Sequence, residues 1–88
     1  MKLPLFEYRR RKAQADMNKA AAQQRVTEYL MQLGYTRRFA EEAAELGQDL
    51  RPVGDLTPDE ATQANKLLAE VRSYQAEGYK IEKETIIE

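Results

Sequence analysis

The sequence predicts an all-α fold, a small three-helix domain with a long N-terminal helix, a short extended N-terminal arm and a C-terminal tail. Three observations lead there. Apolar residues recur at helical spacing in three separate stretches. Cap chemistry bounds those stretches, with Thr36 and Thr57 placed as N-caps and Gly34, Gly47 and Gly78 placed near helix ends. The chain holds no Cys, so no disulfide framework substitutes for a helical core.

The elements follow in order. In "KLPLF", residues 2–6, Pro4 disfavours helix at Leu3 yet fits a first helical turn, which predicts an extended arm leading into a helix. Nothing from Glu7 to Leu33 breaks a helix, and Gly34 then supplies the left-handed cap position. Ala22, Val26, Tyr29 and Leu33 fall on one stripe with Leu30 beside it. Read as heptads, Tyr8, Ala15, Ala22 and Tyr29 share one seam position, and Lys12, Lys19, Val26 and Leu33 share the other. The seam is apolar only in its second half, so the first half is expected to project from the domain. Ala13, Met17, Ala20 and Ala21 form a second, shallow face there, where small residues let another helix approach.

Thr36 opens a second helix that ends near Gly47 to Asp49. Phe39, Ala43, Leu46 and Leu50, at i, i+4, i+7 and i+11, are its expected inward face, and Glu41, Glu42, Glu45 and Asp49 its acidic outer one. In "RPVGDLTPDEATQ", Pro52 and Gly54 mark a loop, Thr57 caps, Pro58 takes the first helical position, Glu60 completes a capping box and Leu56 is placed to staple onto Ala61. The third helix then buries Ala61, Ala64, Leu67, Leu68, Val71 and Tyr74 and is expected to end near Glu77, before Gly78. Beyond it, "YKIEKETIIE" alternates and is rich in β-branched residues, a strand-like tail whose partner would be the N-terminal arm or a sheet edge on another protein, unless it stays unordered. The chain thus divides into a basic arm and helix start (1–12), a three-helix domain (13–77) and an acidic, β-branched tail (78–88).

Function is bounded mainly by exclusion. Without His or Cys the commonest bases, nucleophiles and transition-metal ligands are missing, and four scattered glycines build no phosphate loop. The expectation is a protein that is not an enzyme and uses no cofactor, metal or small-molecule substrate. No apolar run exceeds three residues and no signal peptide is visible, which reads as a cytoplasmic chain with no membrane role.

Charge is the positive signal. The net charge of −1 conceals a division: residues 1–38 carry nine Lys/Arg and three acids, while residues 39–88 carry five Lys/Arg and twelve acids. Such a dipole steers association with a charged partner or with another copy of the chain. The expected partner-binding residues are the basic run Tyr8, Arg9, Arg10, Arg11 and Lys12, then Met17 and Lys19, and the acidic Glu41, Glu42 and Glu45. On a helix, four consecutive cations spread over about 300° and cannot all face one groove wall. Unwound, they suit a phosphate backbone, with Phe6 and Tyr8 beside them to stack on bases. The acidic second half and a pI near 5.6 oppose that use. A helix-turn-helix reading, with Arg37 and Arg38 opening a recognition helix, sets Glu41, Glu42 and Glu45 against phosphates. The reading is therefore a protein–protein interaction module, an adaptor, assembly component or small inhibitor, with a nucleic-acid-binding accessory protein as the alternative.

Two resemblances accompany this. "LMQLGYTRRFAEEAAEL" resembles the Met-Gly-Phe/Tyr loop and second helix of ubiquitin-associated three-helix domains, in which that loop, here Leu33, Gly34 and Tyr35, helps bind ubiquitin. The first and third helices here are much longer, and what the resemblance implies is a tight local helix–turn–helix. At the level of class, a compact, charged, helical chain without catalytic residues resembles the small proteins that phages encode as virion parts or blockers of host machinery, which implies a host cytoplasm or virion as its setting.

Overall fold

The computed structural model describes residues 5–51 and 56–84. Three helices follow one another: α1 (Leu5–Gln32), α2 (Arg37–Leu46) and α3 (Pro58–Glu84). α1 and α3, 28 and 27 residues long, lie side by side as an antiparallel hairpin, and the short α2 rests mainly on α1 near the closed end. The result is a rod of 52 × 18 × 15 Å. Among the described residues no helix is long and apolar enough to cross a membrane.

The local chemistry of the joints is as the sequence predicts. α1 closes in a Schellman motif: Gly34 N–H donates to the Met31 carbonyl at 3.0 Å and Tyr35 N–H to the Leu30 carbonyl at 3.2 Å, with Gly34 at φ 104°. The Thr36 hydroxyl then accepts the Phe39 N–H at 3.2 Å and opens α2. At α3 the capping box is reciprocal, Glu60 N–H donating to the Thr57 hydroxyl at 3.2 Å and Thr57 N–H donating to the Glu60 carboxylate at 2.9 Å. Leu56 and Ala61, the two ends of the staple, are both buried.

Val26, Leu30, Leu68 and Val71 are the largest fully buried side chains, joined by Ala22, Ala40, Ala43, Ala44 and Ala64. Tyr29, Leu33, Leu50, Leu67 and Tyr74 pack around them half-buried. Burying one such Leu contributes about 1.5–3 kcal/mol. The α2 face differs from expectation. Phe39 is 42% exposed and Leu46 70% exposed, and the buried side of α2 is Ala40, Ala43 and Ala44. Alanines bring the α2 backbone close to its neighbours, and that approach turns the larger residues outward. Gly47, at φ 69°, ends the helix before Leu50 can extend the expected stripe.

The ends of the long helices also differ. Leu5 and Phe6, expected in an extended arm, are the first residues of α1. α3 does not stop before Gly78 but continues to Glu84, so residues 79–84, expected to be strand-like, are helical. The added turns lie against the first half of α1, which therefore does not project alone: Ala15 and Ile81 are 4% and 2% exposed, and Gly78 is buried. A Cβ at Gly78 would sit 3.4 Å from the Lys12 amine, so this glycine marks a close approach of two helices rather than a stop. The packing of Ile81 offsets the helix-propensity cost of glycine, about 1 kcal/mol. The remainder of the expected arm (1–4), the Pro52–Gly54 loop and residues 85–88 of the tail lie outside the described residues.

A helical Gly78 makes a prediction with a definite sign. Gly78→Ala is expected to raise stability by about 0.5–1 kcal/mol, because its nearest neighbour is the movable tip of Lys12. Urea unfolding measures this, and a loss of stability would instead mark a position that needs glycine's freedom.

Candidate functional site

The basic run lies on the first three turns of α1, where the helix sends its members in different directions. Arg9 and Arg10 are exposed, and Arg10 donates to the Glu7 carboxylate at 2.7 Å. Tyr8 and Arg11 are half-buried. Arg11 lines a shallow cleft of about 190 Å³ between α1 and α3, together with Gln14, Ala15, Asn18, Glu77 and Ile81.

Lys12 leans across to α3. Its amine lies 3.1 Å from the Glu82 carboxylate and 3.2 Å from that of Asp16. The hydrogen bond to Glu82 first, and then that to Asp16, holds the amine above the ordinary lysine value of 10.5. A raised folded-state value gives stability that is fully present below the unfolded value and is lost as pH rises through the folded one. Lys12→Met is therefore expected to narrow the difference in melting temperature between pH 9 and pH 12, compared with the unsubstituted chain. Thermal unfolding followed by circular dichroism measures it; equal alkaline slopes would remove Lys12 from that role.

Lys19, about two helical turns further on, meets the acidic helix. With Gln23, Gln24 and Thr27 it forms one wall of an open groove of about 430 Å³, and Glu41, Ala44 and Glu45 of α2 form the other. The Gln23 side-chain amide donates to the Ala44 carbonyl at 3.5 Å and ties the walls together. Glu41 and Glu45 also line a neighbouring surface with Glu42, Arg37 and Arg38, where Arg38 pairs with Glu42 at 3.4 Å. Three of the sequence-derived residues, Lys19, Glu41 and Glu45, are thus brought into one groove. Met17 is 66% exposed on α1. Tyr8 to Lys12 lie toward the other end of the rod.

Several contacts carry no sequence signal. The Asn65 amide both accepts from Leu50 N–H at 2.7 Å and donates to the Leu50 carbonyl at 2.9 Å, which fixes the chain after α2 as a paired strand would. Arg72 donates to the Gly47 carbonyl at 2.7 Å and pairs with Asp49 at 3.0 Å. Arg25 and Glu70 join α1 to α3 at 2.9 Å. Near the open end, Tyr79, 56% exposed, lies with Ala76, Lys80 and Lys83 around an open surface pocket of about 450 Å³. The alternation of residues 79–87 concealed that grouping, because it reads as a strand.

Among the described residues no three His, Cys, Asp or Glu side chains converge as metal ligands would. The arrangement leaves exposed cations and Phe6 on the first turns of α1, a mixed-charge groove beside α2, and apolar side chains outside the core. Comparison with protein-family models, curated proteins and solved structures finds no match.

Proposed function

We propose that the chain is a non-enzymatic protein–protein interaction module, serving as an adaptor, an assembly or virion component, or a small inhibitor of a larger machine. The observation that carries the reading is the exposure of Phe6 (76%), Met17 (66%) and Leu46 (70%) on a small domain whose residues 1–38 are basic and 39–88 acidic. Large apolar side chains left outside the core are surface that a protein partner can cover. Arg9 and Arg10 meet an acidic partner at one end, and Glu41, Glu42 and Glu45 meet a basic one on α2. Arg9→Glu/Arg10→Glu is expected to abolish capture of the partner by the immobilised chain, with the circular dichroism spectrum unchanged. Undiminished capture would place the contact elsewhere.

The alternative is a nucleic-acid-binding accessory protein using the Arg9–Lys12 cluster with Phe6 and Tyr8 beside it, favoured by the exposure of Arg9, Arg10 and Phe6. Against it, Lys12 is committed to Glu82 and Asp16, and a helical run cannot track a phosphate backbone with all four cations. A nucleic-acid binder loses affinity steeply between low and moderate salt. A flat salt response removes this alternative.

A further inference from the structure

α1 carries a second seam on the side turned away from α3, and two of its members, Gln24 and Thr27, also border the open groove beside α2. Positions 6, 10, 13, 17, 20, 24, 27 and 31 are spaced four and three residues apart without interruption, the spacing of a coiled-coil face. Phe6, Ala13, Met17, Ala20 and Met31 supply its apolar members. Phe6 and Met17 are 76% and 66% exposed, Met31 is 37% exposed, and Ala13 and Ala20 are exposed. None of the five belongs to the core.

This seam is its own complement when reversed. Laid antiparallel about a twofold axis between residues 18 and 19, Phe6 faces Met31, Met17 faces Ala20, Ala13 faces Gln24, and Arg10 faces Thr27 of the second helix. In the middle each large side chain meets a small one, so two helices can approach to the 8–10 Å of ordinary helix packing. Charge selects the same direction. Antiparallel pairing brings Arg10, which is paired with Glu7 of its own helix, level with Glu28 of the other copy, whereas parallel pairing sets Arg10 against Arg10. The seam spans about 38 Å, nearly all of α1.

We infer that two copies of the chain pair through this face of α1, antiparallel, with Met17 of each against Ala20 of the other. The inference rests on the interaction-module reading and names its partner as a second copy. An interface with alanines at its centre and three polar positions is small, so the dimer is reversible and concentration-dependent.

The pairing is tested by charge exchange on the full chain, with molecular mass read by sedimentation equilibrium from about 10 µM to 1 mM. Met17→Lys and Ala20→Glu each place an unpaired charge in the seam and are expected to weaken the dimer at least tenfold. The double variant Met17→Lys/Ala20→Glu sets Lys against Glu twice across an antiparallel pair and is expected to restore the dimer. In a parallel pair the same variant sets Lys against Lys and Glu against Glu. Both positions are exposed, so an unchanged circular dichroism spectrum is expected for every variant. Loss without rescue in the double variant, a dimer indifferent to all three variants, or a monomer throughout would overturn the inference. If the chain is monomeric yet still captures a different protein through Arg9 and Arg10, the self-pairing alone falls; if that capture also fails, the interaction reading falls with it.

Discussion

Leu68→Ala is expected to lower the free energy of unfolding by about 3 kcal/mol. Leu68 is fully buried, among Val26, Leu30 and Val71, where the three helices meet. Truncation removes the transfer energy of its methyl groups and leaves a cavity that a frame of helices closes only in part. In a domain of this size each kcal/mol moves the melting temperature by about 4–8 °C, so a fall on the order of 12–24 °C is expected. An 88-residue chain has little reserve, since whole domains are stable by only about 5–15 kcal/mol. Leu46→Ala is the control. Leu46 lies on the helical stripe that the sequence marks as core, yet it is 70% exposed, and its truncation is expected to cost less than about 0.5 kcal/mol. Urea unfolding of the two variants separates the structural assignment from the periodic one. Comparable losses at Leu46 and Leu68 would mean that α2 packs through its larger residues after all.

The contrast between those two leucines shows where the sequence stops being informative. Caps are local, each needing only residues within four positions, so Thr36, Gly34 and the Thr57–Glu60 box could be placed in advance and are found as placed. Long helices with one apolar stripe were equally legible, because Val26, Leu30, Leu68 and Val71 admit a single buried side. α2 was not. Its ten residues offer two adjacent stripes, one of large residues and one of alanines, and the choice depends on how closely a neighbouring helix approaches. Hydrophobicity alone favours the large stripe, and close packing selected the small one.

The role of Gly78 is hidden in the sequence for a related reason. A glycine after a helical stretch resembles a stop whenever its far neighbours are unknown, and the β-branched residues that follow reinforce that appearance. What decides is α1 on the other side, with Ala15 buried opposite Ile81 and Lys12 reaching Glu82. The same contacts revise the view of the charge division. Part of the basic run is directed at the chain's own acidic third helix, which leaves Arg9 and Arg10 as its outward members. Of the groups singled out from sequence, only Lys19, Glu41 and Glu45 converge, through a tertiary contact between α1 and α2 that no local spacing encodes.

Gly34→Ala is expected to cost about 1–2 kcal/mol, for a reason opposite to that at Gly78. Gly34 sits at φ 104°, where an L side chain crowds its own carbonyl. Nothing lies within 4 Å of the place a Cβ would occupy, so the cost is conformational and owes nothing to a clash. The turn cannot readily relax, since Gly34 and Tyr35 N–H both point back to carbonyls of α1 and Tyr35 stacks on Phe39 with ring centroids 4.8 Å apart. Relaxation would release both hydrogen bonds and reorient α2, and with it the groove that joins Lys19 to Glu41 and Glu45. Gly34→Asn is expected to lose less than Gly34→Ala, because asparagine tolerates positive φ better than other residues that carry a Cβ. Urea unfolding gives the order, and Gly78→Ala measured alongside gives the opposite sign. If alanine at Gly34 proved as harmless as at Gly78, the joint between α1 and α2 would be closed by something other than the left-handed turn, and the placement of α2 would have to rest on Ala40, Ala43 and Ala44 alone.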